Sequence, residues 1–164
     1  MTIMQITQDQ LRDILSYDPR TGIFTWKKSG RSAGCKNSSG YIVIRIGNRP
    51  GKLLYAHRLA WLYMTGEWPT QEIDHIDRDR SNNKIDNLRQ ATIHQNRQNR
   101  PPRSDSSSGI RGVFQNKLSG SWRAKIAAGN KTKNLGSHIR FCEAIKARKA
   151  AEIALHGEFS PRAQ

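Results

Sequence analysis

At 164 residues the chain has room for one ordinary domain or two small ones, and its 28 Lys and Arg against 13 Asp and Glu give a net charge of +15 that favours polyanionic partners. No apolar run approaches the roughly 20 residues of a membrane span, and residues 1–5 lack the basic-then-apolar pattern of a secretion signal. Cys35 and Cys142 stand far apart with no C-x-x-C pair, so neither a disulfide framework nor a structural zinc is expected. These features predict a soluble, intracellular nucleic-acid binder with no membrane association and no small-molecule substrate. Composition alone leaves open a basic binding protein without chemistry.

The charge is uneven. Residues 1–56 carry 9 basic and 3 acidic side chains, residues 57–100 carry 7 and 6, and residues 101–164 carry 12 and 4. A near-neutral centre between basic flanks suits flanks that grip phosphates and a centre that binds a cation. In the first stretch, Leu11, Ile14 and Leu15 have the spacing of one helix face over 8–15. Tyr17 to Gly22 reads as a turn. Residues 23–26, 41–46 and 52–55 read as strands of a small sheet, and a helix from about His57 ends by Gly66.

The stretch from Glu72 to Arg100 carries the chemistry. Ile73-Asp74-His75-Ile76 sets a carboxylate beside an imidazole in a strand-like context, followed by a polar loop and then Ile85-Asp86-Asn87-Leu88-Arg89. Thr92 with Gln95 three residues on fits a capping box for a helix running to about Arg100, where Pro101 ends it. The order is ββα. Phosphodiester hydrolysis needs a base to deprotonate water and a hard cation to offset charge on the phosphoryl and departing oxygens. His75 suits the base, and Asp74 and Asn96 offer the oxygen ligands that Mg²⁺ or Mn²⁺ prefers. On a regular strand, however, adjacent side chains leave opposite faces, so Asp74 and His75 share a site only if the backbone departs from strand geometry. His57 reads as a packing or capping residue, and Asn82 and Asn83 as turn formers. Arg89, Arg97 and Arg100 are candidate phosphate clamps, each of which could equally be a solvated side chain.

Residues 101–108, with Pro101-Pro102 and Ser106 to Ser108, read as a linker between a domain at 1–100 and another at 109–164. Beyond it, 112–116, 121–128 and 130–135 read as three short strands. A helix over 141–155 follows, with Phe141, Ile145, Ala151 and Leu155 at helical spacing.

Asp74-His75-x-Asp77, Asn82-Asn83, Asn87-Leu88-Arg89, Thr92 and Asn96 together resemble the HNH endonuclease signature in its phage homing-endonuclease branch. Ala56-His57-Arg58-Leu59-Ala60-Trp61 upstream resembles the same branch. The resemblance implies an α+β fold in which a small N-terminal β-sheet leads into a ββα-metal (His-Me finger) core at about 56–100. It implies His75 as general base, Asp74 and Asn96 as metal ligands, and Asn87 as the residue that organises the loop behind His75. Asn96 stands where other branches have histidine, and His94 has the wrong spacing to replace it.

Gly109-Ile110-Arg111-Gly112-Val113, Ser121-Trp122-Arg123-Ala124-Lys125-Ile126 and Asn134-Leu135-Gly136 before an Ala-rich helix resemble an AP2 DNA-binding domain over about 108–160. That resemblance implies a three-stranded sheet with one helix, the sheet entering the major groove of double-stranded DNA. By position, Arg111, Gln115, Trp122, Arg123 and Lys125 would face DNA, helped by Lys117 and Lys133. Phe114 and Lys125 depart from the family pattern, so base preference does not transfer. The alternative is a core Trp122 beneath a solvated basic face.

The expected function is Mg²⁺- or Mn²⁺-dependent endonucleolytic cleavage of DNA by a phage-encoded mobile or homing enzyme. It would act as a monomer in a bacterial cytoplasm and leave a 5′-phosphate and a 3′-hydroxyl. The competing readings are a DNA-binding regulator with an inactive HNH site and an RNA-directed nuclease.

Overall fold

The computed structural model describes residues 6–47, 50–100, 102, 106–128 and 131–159. The chain divides into two compact units, Met1–Thr92 and Ile93–Gln164. Residues 101 and 103–105 of the expected linker lie outside the described residues.

The first unit opens with a capping box. Gln10 N–H donates to the Thr7 hydroxyl at 3.3 Å and Thr7 N–H to Gln10 Oε1 at 3.1 Å, ahead of helix α1 (Gln8–Ile14). The chain turns extended at Leu15 and enters strand β1 (Leu15–Asp18), where Leu15 and Tyr17 are buried and Ser16 and Asp18 are half-exposed. This period of two corrects two expectations: Leu15 is not helical and Tyr17 is not in the turn. The turn starts at Asp18, whose carboxylate accepts from Arg20 N–H at 2.9 Å and the Thr21 hydroxyl at 3.0 Å. Strand β2 (Ile23–Trp26) then pairs antiparallel with β1.

A separate antiparallel sheet of β3 (Cys35–Lys36), β4 (Ile42–Ile46) and β5 (Lys52–Tyr55) follows. The single small sheet expected from sequence is therefore two. Helix α2 (Ala56–Thr65) ends at Gly66, whose φ of 84° is the left-handed cap that glycine adopts without a Cβ penalty. Leu11, Leu15, Phe24, Ile44, Leu59 and Leu62, all at most 2% exposed, join these pieces in one core. Each such side chain contributes about 1.5–3 kcal/mol on burial.

Strand β6 (Glu72–His75) pairs antiparallel with β7 (Leu88–Ala91), Asp74 lying opposite Arg89 and His75 opposite Leu88. Ile73 and Leu88 anchor the pair in the core. The polar loop between them closes through a 3-10 turn at Ile85–Asn87.

The second unit starts with helix α3 (Ile93–Gln98). A three-stranded antiparallel sheet follows, with β9 (Trp122–Ala128) between β8 (Val113–Gln115) and β10 (Lys131–His138). Helix α4 (Phe141–His156) covers it. The buried stripe of α4 is Ala144, Arg148, Glu152 and His156, whereas Leu155 is exposed. Of the expected apolar face, Phe141 packs on the core and Ile145 and Ala151 are half-buried, whereas Leu155 is exposed and the fully buried stripe beside them is largely polar. Arg148 Nε donates to Glu152 Oε1 at 2.9 Å, and Arg148 Nη1 to the Lys125 carbonyl at 2.7 Å. Gly112 leaves room for the guanidinium, since a Cβ there would lie 3.1 Å from Arg148 Nη1, and the ion pair with Glu152 neutralises what would otherwise be an isolated buried charge.

Candidate active site

The ring of His75 ends β6, is 5% exposed, and is held from two sides. On one side its Nε2 lies 3.3 Å from Asn83 Oδ1. The amide orientation follows from Asn83 Nδ2, which donates to the Ser81 carbonyl at 3.2 Å. Asn83 Oδ1 can only accept, so a neutral His75 bonded to it carries its proton on Nε2 and presents Nδ1 as the basic nitrogen. On the other side the rings of His57, at 5.1 Å, and Tyr41, at 5.9 Å, pack against it. Tyr55 extends this stack, 5.3 Å from His57 and 5.4 Å from Tyr41.

Burial pushes the His75 pKa below its ordinary value. The bond to Asn83 and the charges of Asp77, Asp74 and Asp79 oppose that shift without cancelling it. The ring is therefore neutral at pH 7, the state a proton acceptor requires. Burial drives His57 further, to about 3, with the neighbouring His75 and Arg58 adding to the shift.

The loop behind His75 is held by asparagine and aspartate. Asn87 Oδ1 accepts from Asp77 N–H at 3.0 Å, while its Nδ2 donates to Asp77 Oδ1 at 2.9 Å and to the Asn82 carbonyl at 2.8 Å. Asn82 Nδ2 donates to Asp77 Oδ2 at 2.6 Å. Arg78, whose N–H bonds the His75 carbonyl at 3.0 Å, takes a left-handed φ of 67°. That conformation is uncommon outside glycine and marks the sharp exit from β6.

Asn83, read from sequence as a turn former, is 2% exposed and is the residue that sequence reasoning missed. Its carbonyl accepts from the Tyr17 hydroxyl at 2.6 Å. Its backbone also rests on Gly22, where a Cβ would lie 2.5 Å from the Asn83 carbonyl carbon. The spacing of Asn82-Asn83 to His75 was the available signal, but the Tyr17 and Gly22 contacts span more than 60 residues and leave no local mark.

Asp74, 5% exposed, faces Arg89 across the ladder, and His75 follows it as the last residue of β6, where the chain leaves strand geometry for the turn that Arg78 N–H closes on the His75 carbonyl. Arg89, expected at a phosphate, instead donates to Asp74 Oδ2 through Nε at 3.0 Å and Nη2 at 2.8 Å. Asn96 is half-buried on α3 in the second unit. Among the described residues, no group of three or more His, Cys, Asp or Glu side chains is placed to hold a metal ion. The carboxylate of Asp74 in the first unit and the amide of Asn96 in the second each carry a hard oxygen donor of the kind Mg²⁺ and Mn²⁺ prefer.

The expected DNA-facing residues of the second unit divide between surfaces. Arg123 and Lys125 lie opposite Phe114 and Asn134 on the open face of the sheet, with Lys125 Nζ 4.9 Å from the Phe114 ring centroid. Trp122 packs on Phe141, with ring centroids 4.4 Å apart, so it belongs to the core beneath α4. Gln115 and Lys133 share the parity of that covered face, opposite Trp122 and Ile126. Arg111 is half-buried and caps α3, its Nη1 donating to the carbonyls of Arg97 and of Gln98, the latter at 3.0 Å. Arg97, Arg100 and Lys117 are exposed.

A family model described as HNH endonuclease matches residues 54–98, which span α2, β6, β7 and α3. The chain is 30% identical to "Protein 3.8" of Escherichia phage T7 over 105 residues, covering 63% of this chain and 86% of that protein. It is also similar to the solved structure described as "DNA binding and cleavage by the HNH homing endonuclease I-HmuI". That match has 28% identity and a TM-score of 0.44, covering 52% of this chain and half the length of the other.

Proposed function

The chain belongs to the HNH endonuclease family, and on that premise we propose that it hydrolyses DNA phosphodiester bonds with His75 as general base. The observation that carries the proposal is the buried, neutral His75 ring, fixed by Asn83 inside the family segment. Nδ1 takes the proton of an attacking water. Asn83 keeps the imidazole in the tautomer that leaves Nδ1 basic, and His57 and Tyr41 limit its rotation. Asn87 holds the loop that carries Asn83. Asp74 and Asn96 would hold a divalent cation, Mg²⁺ or Mn²⁺, which when bound supplies charge stabilisation to the phosphoryl and leaving oxygens.

The second unit serves as an AP2-like DNA reader through the open face of its sheet. A strand surface bearing Arg123 and Lys125 has the dimensions and charge to enter a major groove. Arg97, Arg100 and Lys117 add phosphate contacts. We read the protein as a mobile, phage-encoded enzyme acting inside a bacterial host, and the phage source of its relative is consistent with phage encoding.

Incubation of supercoiled plasmid and of structured RNA with the full chain, in Mg²⁺ or in EDTA, tests this reading. Nicked or linear DNA in Mg²⁺ alone is the expected outcome. DNA retained but uncut in Mg²⁺ and in Mn²⁺ would make the protein a binding regulator, and preferential cutting of RNA would replace the substrate.

A further inference from the structure

We propose that Arg89 is the resident counter-ion of Asp74 and that it gives way when a divalent cation binds, passing its guanidinium to the DNA backbone. The inference rests on the reading of Asp74 as a metal ligand. Asp74 and Arg89 face each other across the β6–β7 ladder, and the salt bridge between them is largely shielded, the two side chains being 6% and 13% exposed. Nε and Nη2 of Arg89 both converge on Oδ2 of Asp74, at 3.0 and 2.8 Å. A buried carboxylate needs a countercharge, and Arg89 supplies one here.

That arrangement conflicts with cation binding. A divalent ion on the Asp74 carboxylate would sit a few ångströms from the guanidinium, and in partly desolvated surroundings such like-charge proximity is strongly unfavourable. The conflict ends if Arg89 leaves Asp74. Guanidinium is a planar fork that matches phosphate oxygens, and Arg89 is carried on the strand beside the candidate base, where a phosphodiester must arrive. The exchange replaces one countercharge on Asp74 by another and releases a cationic fork to the substrate. Metal and DNA then bind with positive coupling, reciprocal by linkage. An enzyme of this kind holds its metal weakly until DNA is present.

Mn²⁺ titration of the full chain without DNA, with free Mn²⁺ read by electron paramagnetic resonance, tests the exchange in the wild type, Arg89→Gln and Asp74→Asn. Arg89→Gln should bind Mn²⁺ at least about tenfold more tightly, the scale of removing one nearby positive charge at an effective dielectric of about 20. Asp74→Asn should lose that binding. If Asp74→Asn binds as the wild type does, the ligand assignment fails and the exchange with it. If Asp74→Asn loses the ion while Arg89→Gln binds it no better than the wild type, only the exchange is overturned. A second readout needs no folded variant: the Arg89 Nε–H of the wild type should exchange faster with water once Mg²⁺ saturates the protein. An unchanged exchange rate would show that the ion pair persists and would overturn the proposal.

Discussion

His75 combines two properties that rarely coexist on a surface: it is 5% exposed, and its ring nitrogens are fixed by a neighbour that can only accept from Nε2. Asn83→Leu preserves approximate volume but removes that acceptor. DNA affinity should therefore stay near wild type, while the cleavage rate falls by about tenfold to a hundredfold, a loss smaller than removal of the base itself. Equal single-turnover rates for Asn83→Leu and wild type would contradict the positioning role. His57 makes a different prediction. Its folded pKa of about 3 lies below the ordinary 6.5, so between these values the unfolded chain binds the proton that the folded chain refuses. This contribution leaves stability intact above about pH 6.5 and erodes it as pH falls towards 3, by about 1.4 kcal/mol per unit within the window. His57→Phe should flatten the slope of unfolding free energy against pH, with His75 retaining a smaller share. Urea titrations at pH 7.5 and 5 check this, and identical slopes for the two proteins would contradict it.

At the scale of elements, the first hairpin and the loop behind His75 are packed as one piece. Gly22, at φ 75°, lies against the backbone of Asn83 and Lys84, and Ile85 N–H donates to the Pro19 carbonyl at 3.2 Å. Gly22→Ala should push the loop off the hairpin, lowering both the melting temperature and the cleavage rate although residue 22 touches no substrate. Wild-type values for both would contradict that coupling.

The elements themselves were largely legible. Thr7 with Gln10 announces α1, the β-branched run Ile42–Ile46 announces β4, and Gly66 announces the end of α2. The partners were not. Nothing local in Asn83 predicts Tyr17 above it, and the pairing of Asp74 with Arg89 depends on a strand register set by the length of the loop between them. The α4 stripe was incomplete for a related reason: apolar spacing is silent on Arg148 and Glu152, whose burial depends on the Lys125 carbonyl lying 2.7 Å from Arg148. In the second sheet, strand parity separates Arg123 from Lys133. Arg123→Ala should therefore change base preference, by about 1–3 kcal/mol at one position, whereas Lys133→Ala should weaken all sequences alike or do nothing. A binding-site selection on both variants distinguishes the outcomes, and unchanged preference in Arg123→Ala would remove it as a reader.

Across the whole molecule, positive charge is concentrated at both ends of the sequence and cancelled in the middle, where the carboxylates of the candidate site reside. Under the proposed function, attraction to DNA falls to the flanks and chemistry to the central segment. The division of the chain at Thr92 adds a constraint: Asp74 and His75 belong to the first unit and Asn96 to the second. Truncation near Arg103 would remove Arg111, which caps α3, so charge neutralisation in the intact chain is the cleaner probe of DNA grip. Alanine at each of Arg97, Arg100 and Lys117, the proposed phosphate contacts, should reduce the slope of log K against log salt by roughly 0.9 per contact, and an unchanged slope would contradict that role.

The most direct measurement is single-turnover cleavage of duplex DNA in Mg²⁺ by the wild type and His75→Ala, with DNA affinity measured in parallel. The expected result is unchanged affinity, a rate lower by about a hundredfold or more, and partial rescue by added imidazole. A His75→Ala protein that binds DNA normally and cuts at the wild-type rate would contradict the central claim that this ring is the base.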